Sequence, residues 1–522
     1  MQKLRARLFL ITGVALLPVF CLQASGELRN IEVGGEIHIR GRYWHNVYQN
    51  GIQGPAAVRI PPFFLQGRAI GPFGAASRYD FDDRGHNLDF VEMRTRLSVD
   101  AELDRQVRAF IELESYDNWG EDFRSDHITG LDARAGTGDD VEIYQAFIEA
   151  DNMYDLPLRL RIGRQELKMG KGWLVDDITT AIIGRSFDAV RLTYHPDDWT
   201  LDLWASKLAE RFQVEEDGDV DFYGAYATYS GMEALSLSAY WMLIRDGRSL
   251  NDTNFNFLGE ALEDWFGVDD YDVTNMHTIG LRAFGNYNAF DYDLELAYQF
   301  GDAGQVGAGF KPFLYGDDGA KFDALAADIE IGYRFDMWGS PRIYLGGAFF
   351  EGEDNRKLDF WDWISPFDRP EASVSFNRMF PGAPYSAVLE IGQDMSNFWQ
   401  VRGGVALKPT EQTTASLRIA YFEVDEAFDW PLYWSVGRFR VPVAPSLPFL
   451  TQTAADDIGW TSTLVLGYAY SEDLSFQLVW EHLFPGDGLD EGSFVHRYGL
   501  EFTGGTDDDG ADYIHLASRL RF

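Results

Sequence analysis

The chain has 522 residues, with 83 Asp and Glu against 44 Lys and Arg, so its formal net charge is −39. This acidity argues against a nucleic-acid partner, because surfaces that bind nucleic acids carry positive charge. Aromatic residues make up 15% of the chain, which is high for a soluble protein, and Cys21 is the one cysteine, so no disulfide can form within the chain.

The first 26 residues have the three parts of a secretory signal peptide. Lys3, Arg5 and Arg7 form a basic start, an apolar stretch follows over 8–22, and small residues at 24–26 suit cleavage. The alternative is a membrane anchor, but the apolar stretch is short for a helix that spans a bilayer. We therefore expect a signal peptide at 1–26, and one exported domain at 27–522.

After this leader, the chain consists of segments in which apolar and polar side chains alternate. No stretch approaches the ~18 apolar residues of a membrane helix, whereas alternation in a strand places two kinds of side chain on opposite faces. Eighteen strands are predicted, in chain order at 32–47, 88–103, 107–119, 141–151, 158–165, 186–195, 199–208, 220–229, 235–244, 276–286, 290–300, 325–335, 342–351, 398–408, 414–424, 458–470, 474–483 and 512–522.

Short and long connections alternate between these strands. Turns such as 104–105, 287–288 and 471–473 are tight, while 48–87, 120–140, 246–275 and 352–397 are long. This pattern predicts an all-β fold, a transmembrane antiparallel up-and-down β-barrel of about 18 strands with short periplasmic turns and long extracellular loops. A secreted β-solenoid or propeller could share the composition, but the sequence has no repeat of fixed period. Any gating is expected from outer loops such as 48–87 or 352–397.

The predicted location is the outer membrane of a Gram-negative cell, and the expected partners follow from it. They are the membrane lipid and lipopolysaccharide, together with the barrel-assembly machinery, which reads a last strand that ends in an aromatic residue such as Phe522. A periplasmic protein that delivers the transported molecule is a further partner that such a barrel could use.

The inward face of each strand should carry the charged residues, because a midplane Arg facing lipid costs about 2–4 kcal/mol. The basic residues predicted to line the pore on this argument are Arg40, Arg42, Arg94, Arg96, Arg108, Arg159, Arg161, Arg191, Arg402, Arg418, Arg519 and Arg521. The acidic residues predicted to face inward from the middle strands are Asp202, Asp291, Asp293, Glu295 and Glu330.

The order of the strands predicts how these charges are distributed. The last strand pairs with the first when a barrel closes, so Arg519 and Arg521 should lie next to Arg40 and Arg42. We expect a basic wall opposite a partly acidic one, which would orient a charged solute and let Arg side chains bind carboxylates in pairs of hydrogen bonds. The alternative is that each Arg only pairs with a cross-strand carboxylate such as Glu92.

Other features of the chain have less specific interpretations. Acidic clusters such as Asp80, Asp82 and Asp83 are either solvated loops or points where divalent cations bridge to lipopolysaccharide. Tryptophans near predicted strand ends, such as Trp44 and Trp199, are expected in the aromatic girdles of a barrel. The sequence has no hydrolase, phosphate-loop or zinc-protease motif, so neither an enzyme nor a cofactor or metal site is expected.

Residues 159–195 carry motifs of a known family. The motifs are IGRQEL at 162–167, GWLV at 172–175 and RSFD at 185–188, and the stretch resembles the signature of the alginate-export outer-membrane porins. The resemblance implies a barrel of about eighteen strands, and passage of an anionic polysaccharide through a constriction lined by arginines. The resemblance implies that Arg159 and Arg161, which are already in the set above, line this pore. It adds Arg164 and Arg185 to the candidates.

The sequence therefore predicts a channel for an anionic, alginate-like polysaccharide. Two alternatives stay open: a general or carbohydrate-uptake porin, and a surface barrel used for adhesion.

Overall fold

The computed structural model describes most of the chain, and all structural statements below refer to the described residues. These residues are 28–46, 87–104, 106–119, 141–178, 182–210, 219–247, 273–302, 320–352, 372–390, 395–426, 429–431, 433–436, 439–442, 451–453, 455–487, 494–496, 501–503 and 510–522.

Eighteen antiparallel strands form a closed barrel, in which β1 pairs with both β2 and β18. The strands are β1 Asn30–His45, β2 Leu88–Asp104, β3 Val107–Asn118, β4 Glu142–Ala150, β5 Leu158–Gln165, β6 Phe187–Tyr194, β7 Trp199–Ala209, β8 Val220–Tyr229, β9 Ser236–Asp246, β10 Thr274–Tyr287, β11 Phe290–Asp302, β12 Ala320–Arg334, β13 Arg342–Phe350, β14 Phe398–Leu407, β15 Thr413–Val424, β16 Asp457–Ala469, β17 Leu474–Pro485 and β18 Ala511–Arg521.

Shorter elements lie outside this series. A strand at Ala372–Val374 pairs in parallel with the start of β12. Three small two-stranded sheets pair Asp429–Pro431 with Thr451–Thr453, Tyr433–Val436 with Phe439–Pro442, and Phe494–His496 with Glu501–Thr503. A single turn of 3₁₀ helix spans Met153–Asp155. None of the helices in the described part of the chain is long and apolar enough to cross a bilayer.

The predicted fold class is confirmed, and each predicted strand corresponds to one strand of the barrel. The largest difference is at β12, which begins at Ala320, ahead of the prediction at 325. Connections of two to seven residues alternate with connections of ten to 47 residues. We call the end of the barrel with the shorter connections the short-turn end.

The two faces of the barrel wall have the polarity that a lipid environment requires. Ile148, Leu281 and Leu345 point outward and remain more than 60% exposed, whereas the polar side chains of Thr278 and Gln299 point inward and are fully buried. This is the reverse of a soluble protein, and it follows from the period of two along each strand. Trp44 is a correction to the predicted girdle, because it points inward, is 3% exposed and donates a hydrogen bond to the carbonyl of Ala387.

Two long connections fold into the lumen and meet there. The first inner segment is the described part of 166–186, between β5 and β6, and the second is the described part of 375–397, between β13 and β14. Val175 and Phe380 form a parallel bridge, and the Phe380 and Gly382 amides donate to the carbonyls of Leu174 at 2.9 Å and Gly172 at 3.0 Å.

The inner segments have an apolar core of their own inside a polar lumen. The fully buried residues Leu167, Val175, Phe376, Val388 and Leu389 belong to one cluster with aromatic residues of the wall. Part of the predicted gating loop 352–397 is therefore packed inside the barrel, and so is the connection after β5, which the sequence did not identify as an inward loop. The predicted gating loop 48–87 lies outside the described residues, apart from its last position.

Candidate pore-lining site

The first part of the candidate site is a group of arginines where the barrel closes. The register pairs Glu36 with Arg521 and His38 with Arg519, because β18 runs antiparallel to β1. The Glu36 carboxylate accepts a hydrogen bond from Arg94, lies 3.1 Å from Arg521 Nε and lies 3.5 Å from Arg519 Nε. Three guanidinium groups therefore surround one carboxylate.

Glu92 on β2 has the same role further along the wall, where it lies opposite Arg40 of β1. Its two oxygens bind Arg40 at 3.0 Å and Arg42 at 2.5 Å, and Glu92 is 1% exposed. The Arg42 guanidinium also lies over the rings of Trp44 and Phe90, at 4.7 and 4.6 Å from their centroids.

We call the five arginines on β18, β1 and β2 the basic wall. They are Arg40, Arg42, Arg94, Arg519 and Arg521, and they share the carboxylates of Glu36 and Glu92. Within this group of described residues, five guanidinium groups face two carboxylates, so the seven side chains together carry a net positive charge.

A cavity of about 460 Å³ adjoins the basic wall at the short-turn end. Its cationic lining residues are Arg40, Arg519 and Lys408, with the imidazoles of His38 and His515 beside them. The one carboxylate among its lining residues belongs to Glu411.

The arginines further round the wall follow the alternative interpretation, in which each pairs with a carboxylate. The pairs are Arg96 with Glu114 at 2.6 Å, Arg108 with Asp100 at 2.8 Å, Arg159 with Asp151 at 3.0 Å, Arg161 with Glu149 at 2.5 Å, and Arg191 with Asp202 at 2.8 Å. The charge of each of these arginines is therefore balanced locally by a carboxylate of the described residues.

Four of the five residues of the predicted acidic wall lie on β11 and β12, on the far side of the closed sheet, and their carboxylates are close to cations as well. The fifth, Asp202, lies apart from them on β7. Asp291 binds Arg342 at 2.5 Å, Asp293 binds Arg282, and Glu330 binds Arg342 at 2.9 Å and Arg402 at 3.2 Å. Glu295 is 4% exposed and lies 3.8 Å from both Lys171 and Arg282.

Asp328 connects the acidic wall to both inner segments. Its carboxylate accepts hydrogen bonds from Lys171 at 2.8 Å, from the Tyr385 hydroxyl at 2.9 Å, and from Arg402 at 3.0 Å. Burial raises the pKa of Tyr385 well above its ordinary value, so this hydroxyl keeps the proton that it donates. On β15, next to the strand that carries Arg402, Arg418 donates to the Tyr385 carbonyl at 2.9 Å.

The two arginines taken from the family motifs lie in different surroundings. Arg185 is in the first inner segment, where it donates to the Pro381 carbonyl at 3.3 Å and lies over the ring of Phe380. Arg164 is a correction, because it does not face the lumen. It shares the outward parity of Ile162, and it binds the outward-facing Asp188 through two hydrogen bonds of 2.8 and 3.0 Å.

Sequence reasoning missed four residues that organise the site. Glu36 lies on the inward parity of β1, so alternation alone could have identified it. Asp328 likewise lies two residues before the predicted Glu330. Lys171 and Tyr385 belong to connections without periodicity, and no local pattern indicates that these connections enter the lumen.

Comparison with known proteins gives a family for the chain. A family model described as "Alginate export" matches residues 74–497, and no curated protein matches in a sequence search. The solved structures with a similar fold include Pseudomonas aeruginosa OpdQ, at 9% identity and a TM-score of 0.49, covering 95% of this chain and 99% of that one. They also include Acinetobacter baumannii OccAB1, at 9% identity and a TM-score of 0.49, covering 96% and 98%. The chain belongs to the alginate-export family and forms an outer-membrane β-barrel channel.

Proposed function

We propose that the channel passes an anionic polysaccharide, and that arginines of its lumen bind the carboxylates of this polymer in succession. The observation that carries the proposal is the basic wall, where five guanidinium groups share two carboxylates. Membership of the alginate-export family supports an alginate-like polymer.

The physical basis of the proposal is the exchange of hydration for guanidinium contacts. A carboxylate that enters the lumen loses water, and charge-assisted hydrogen bonds from Arg offset that loss. More donors for such bonds remain where guanidinium groups outnumber the resident carboxylates. We therefore assign the main contribution to Arg40, Arg42, Arg94, Arg519 and Arg521, and a smaller one to the arginines that are paired one to one.

The test is block of the ionic current through single channels in a planar bilayer. We expect alginate to interrupt the current, and dextran of similar length, which is neutral, to do so far less. The double variant Arg40→Gln with Arg519→Gln should weaken the block by about tenfold, the equivalent of one charge-assisted hydrogen bond.

The control is Arg164→Gln, which removes one positive charge from the outward face of β5. This variant should leave the block by alginate unchanged. Equal block by dextran and alginate, or an unchanged block in the double variant, would instead favour a general or carbohydrate-uptake porin.

A further inference from the structure

The cavity at the short-turn end combines two kinds of polar group. Arg40, Arg519 and Lys408 provide positive charge, and neutral hydrogen-bonding side chains, namely Gln412, Thr414, Ser475 and Gln477, line it as well. Cations recognise a carboxylate, while amides and hydroxyls exchange hydrogen bonds with sugar hydroxyls. A hexuronate presents both chemical groups on one ring.

Lys408 is the cation in this cavity that is most available to a ligand. It follows the end of β14 and is exposed, and no carboxylate of the described residues lies within ion-pair distance of its amine. Arg40 differs, because it is held at 3.0 Å by Glu92. The Lys408 amine can therefore bind an incoming carboxylate without first breaking an ion pair.

The cavity also has the size and position of a site for one sugar. Its volume of about 460 Å³ lies within the usual range for small-molecule pockets. Its walls come from strands on both sides of the closure, since His38 is on β1, Ser475 is on β17 and His515 is on β18. These residues are distinct from those of the inner segments, so a ligand here occupies the lumen between the inner segments and the short-turn end.

We infer that this cavity is a binding site for a single hexuronate unit, in which Lys408 and Arg519 hold the carboxylate and the amide and hydroxyl side chains hold the ring. The inference deepens the proposed function and rests on it. It assigns a docking position for the polymer at the short-turn end, apart from the inner segments.

The experiment uses glucuronate as the ligand and a cysteine as the reporter, in the full chain with Cys21→Ala. Ser475→Cys places a near-isosteric thiol in the cavity, and its rate of modification by a charged thiosulfonate reagent is measured in detergent. With glucuronate at about four times its Kd, about one fifth of the sites remain free. The rate of thiol modification should therefore fall by about fivefold. Glucose at the same concentration should not change the rate.

Two matched variants make the result specific. Ser236→Cys places the same thiol at the short-turn end of β9, across the lumen, and glucuronate should not protect it. In the Ser475→Cys chain, Lys408→Gln should weaken protection, so that about ten times more glucuronate is needed for the same effect. Lys207→Gln, which removes a lysine paired with Asp219 away from the cavity, should leave protection unchanged.

The inference is overturned if glucose protects as well as glucuronate, if Ser236→Cys is protected equally, or if Lys408→Gln changes nothing. These failures are distinct from a failure of the proposed function. If alginate still blocks the current while glucuronate gives no protection, the polymer passes but does not dock in this cavity.

Discussion

Arg42 illustrates how a single charged residue is held in the barrel. Its guanidinium binds Glu92 at 2.5 Å and lies over the rings of Trp44 and Phe90. Contacts of this cation–π type contribute about 0.5–2 kcal/mol each, and more where water is excluded. The ring contacts and the ion pair together fix the direction of the guanidinium, so its remaining donors point to a defined part of the lumen.

At the scale of single residues, loss of the Asp328 carboxylate should lower the stability of the packed lumen. Asp328→Asn removes a buried negative charge that Lys171, Tyr385 and Arg402 all contact. We expect the free energy of unfolding to fall by about 2–3 kcal/mol. The measurement is the denaturant midpoint of the barrel in detergent.

The matched control for Asp328 is Asp188→Asn. Asp188 also pairs with an arginine, but on the outward face, where its side chain is 56% exposed. Its loss should cost less than about 1 kcal/mol. Equal effects of the two substitutions would show that Asp328 does not connect the inner segments to the wall.

At the scale of elements, the two inner segments depend on each other. They pair through Val175 and Phe380, and they contact different parts of the barrel wall. Lys171 of the first segment contacts β12 through Asp328, and the Val388 amide of the second donates to Glu481 on β17 at 3.2 Å. Displacing one segment therefore disturbs the other.

Gly382 tests this dependence, because it leaves no room for a side chain. A Cβ at this position would lie 1.7 Å from Asp176 Oδ2 and 2.7 Å from Asp176 Cβ. Gly382→Ala should separate the inner segments and increase the single-channel conductance. It should also destabilise the packed lumen by about 1–3 kcal/mol.

The control for this substitution is Gly403→Ala on β14, where a Cβ would meet only ordinary contacts of 3.7 and 3.8 Å. Its conductance should match that of the unmodified channel. An unchanged conductance in Gly382→Ala would mean that the pairing of the inner segments does not set the width of the lumen.

Alternation of polarity was enough to predict the strands, because each strand separates lipid from a polar interior along its whole length. The same parity placed Arg40, Arg191 and Arg519 inside. It could not predict the inner segments, because residues such as Val175 and Val388 are apolar within the lumen and follow no period. It also could not distinguish the arginines of the basic wall from arginines paired one to one. That difference arises because Glu36 and Glu92 each bind several guanidinium groups from other strands.

At the scale of the whole molecule, closure of the barrel brings the first strand next to the last residue, Phe522. The Gly35 amide donates to the Phe522 carbonyl at 2.9 Å, and the Phe522 amide donates back at 3.1 Å. A Cβ on Gly35 would lie 2.5 Å from the Phe522 ring and 2.8 Å from the Arg96 carbonyl. The last aromatic residue therefore covers a glycine on the first strand.

Gly35→Ala should consequently weaken closure, by about 1–3 kcal/mol, because both neighbours must move. The measurement is the temperature at which the folded band is lost in detergent electrophoresis. Gly41→Ala is the control, since a Cβ there would have a single contact at 3.9 Å with Val91. Loss of the folded band at the same temperature in both variants would contradict this role of Gly35.

The net positive wall at the closure of the barrel is tested most directly by the reversal potential of single channels under a gradient of KCl. We expect a preference for chloride that falls in the Arg519→Gln, Arg521→Gln double variant and is retained in Arg164→Gln. A preference for potassium in the unmodified channel, or a chloride preference that the double variant leaves intact, would contradict it.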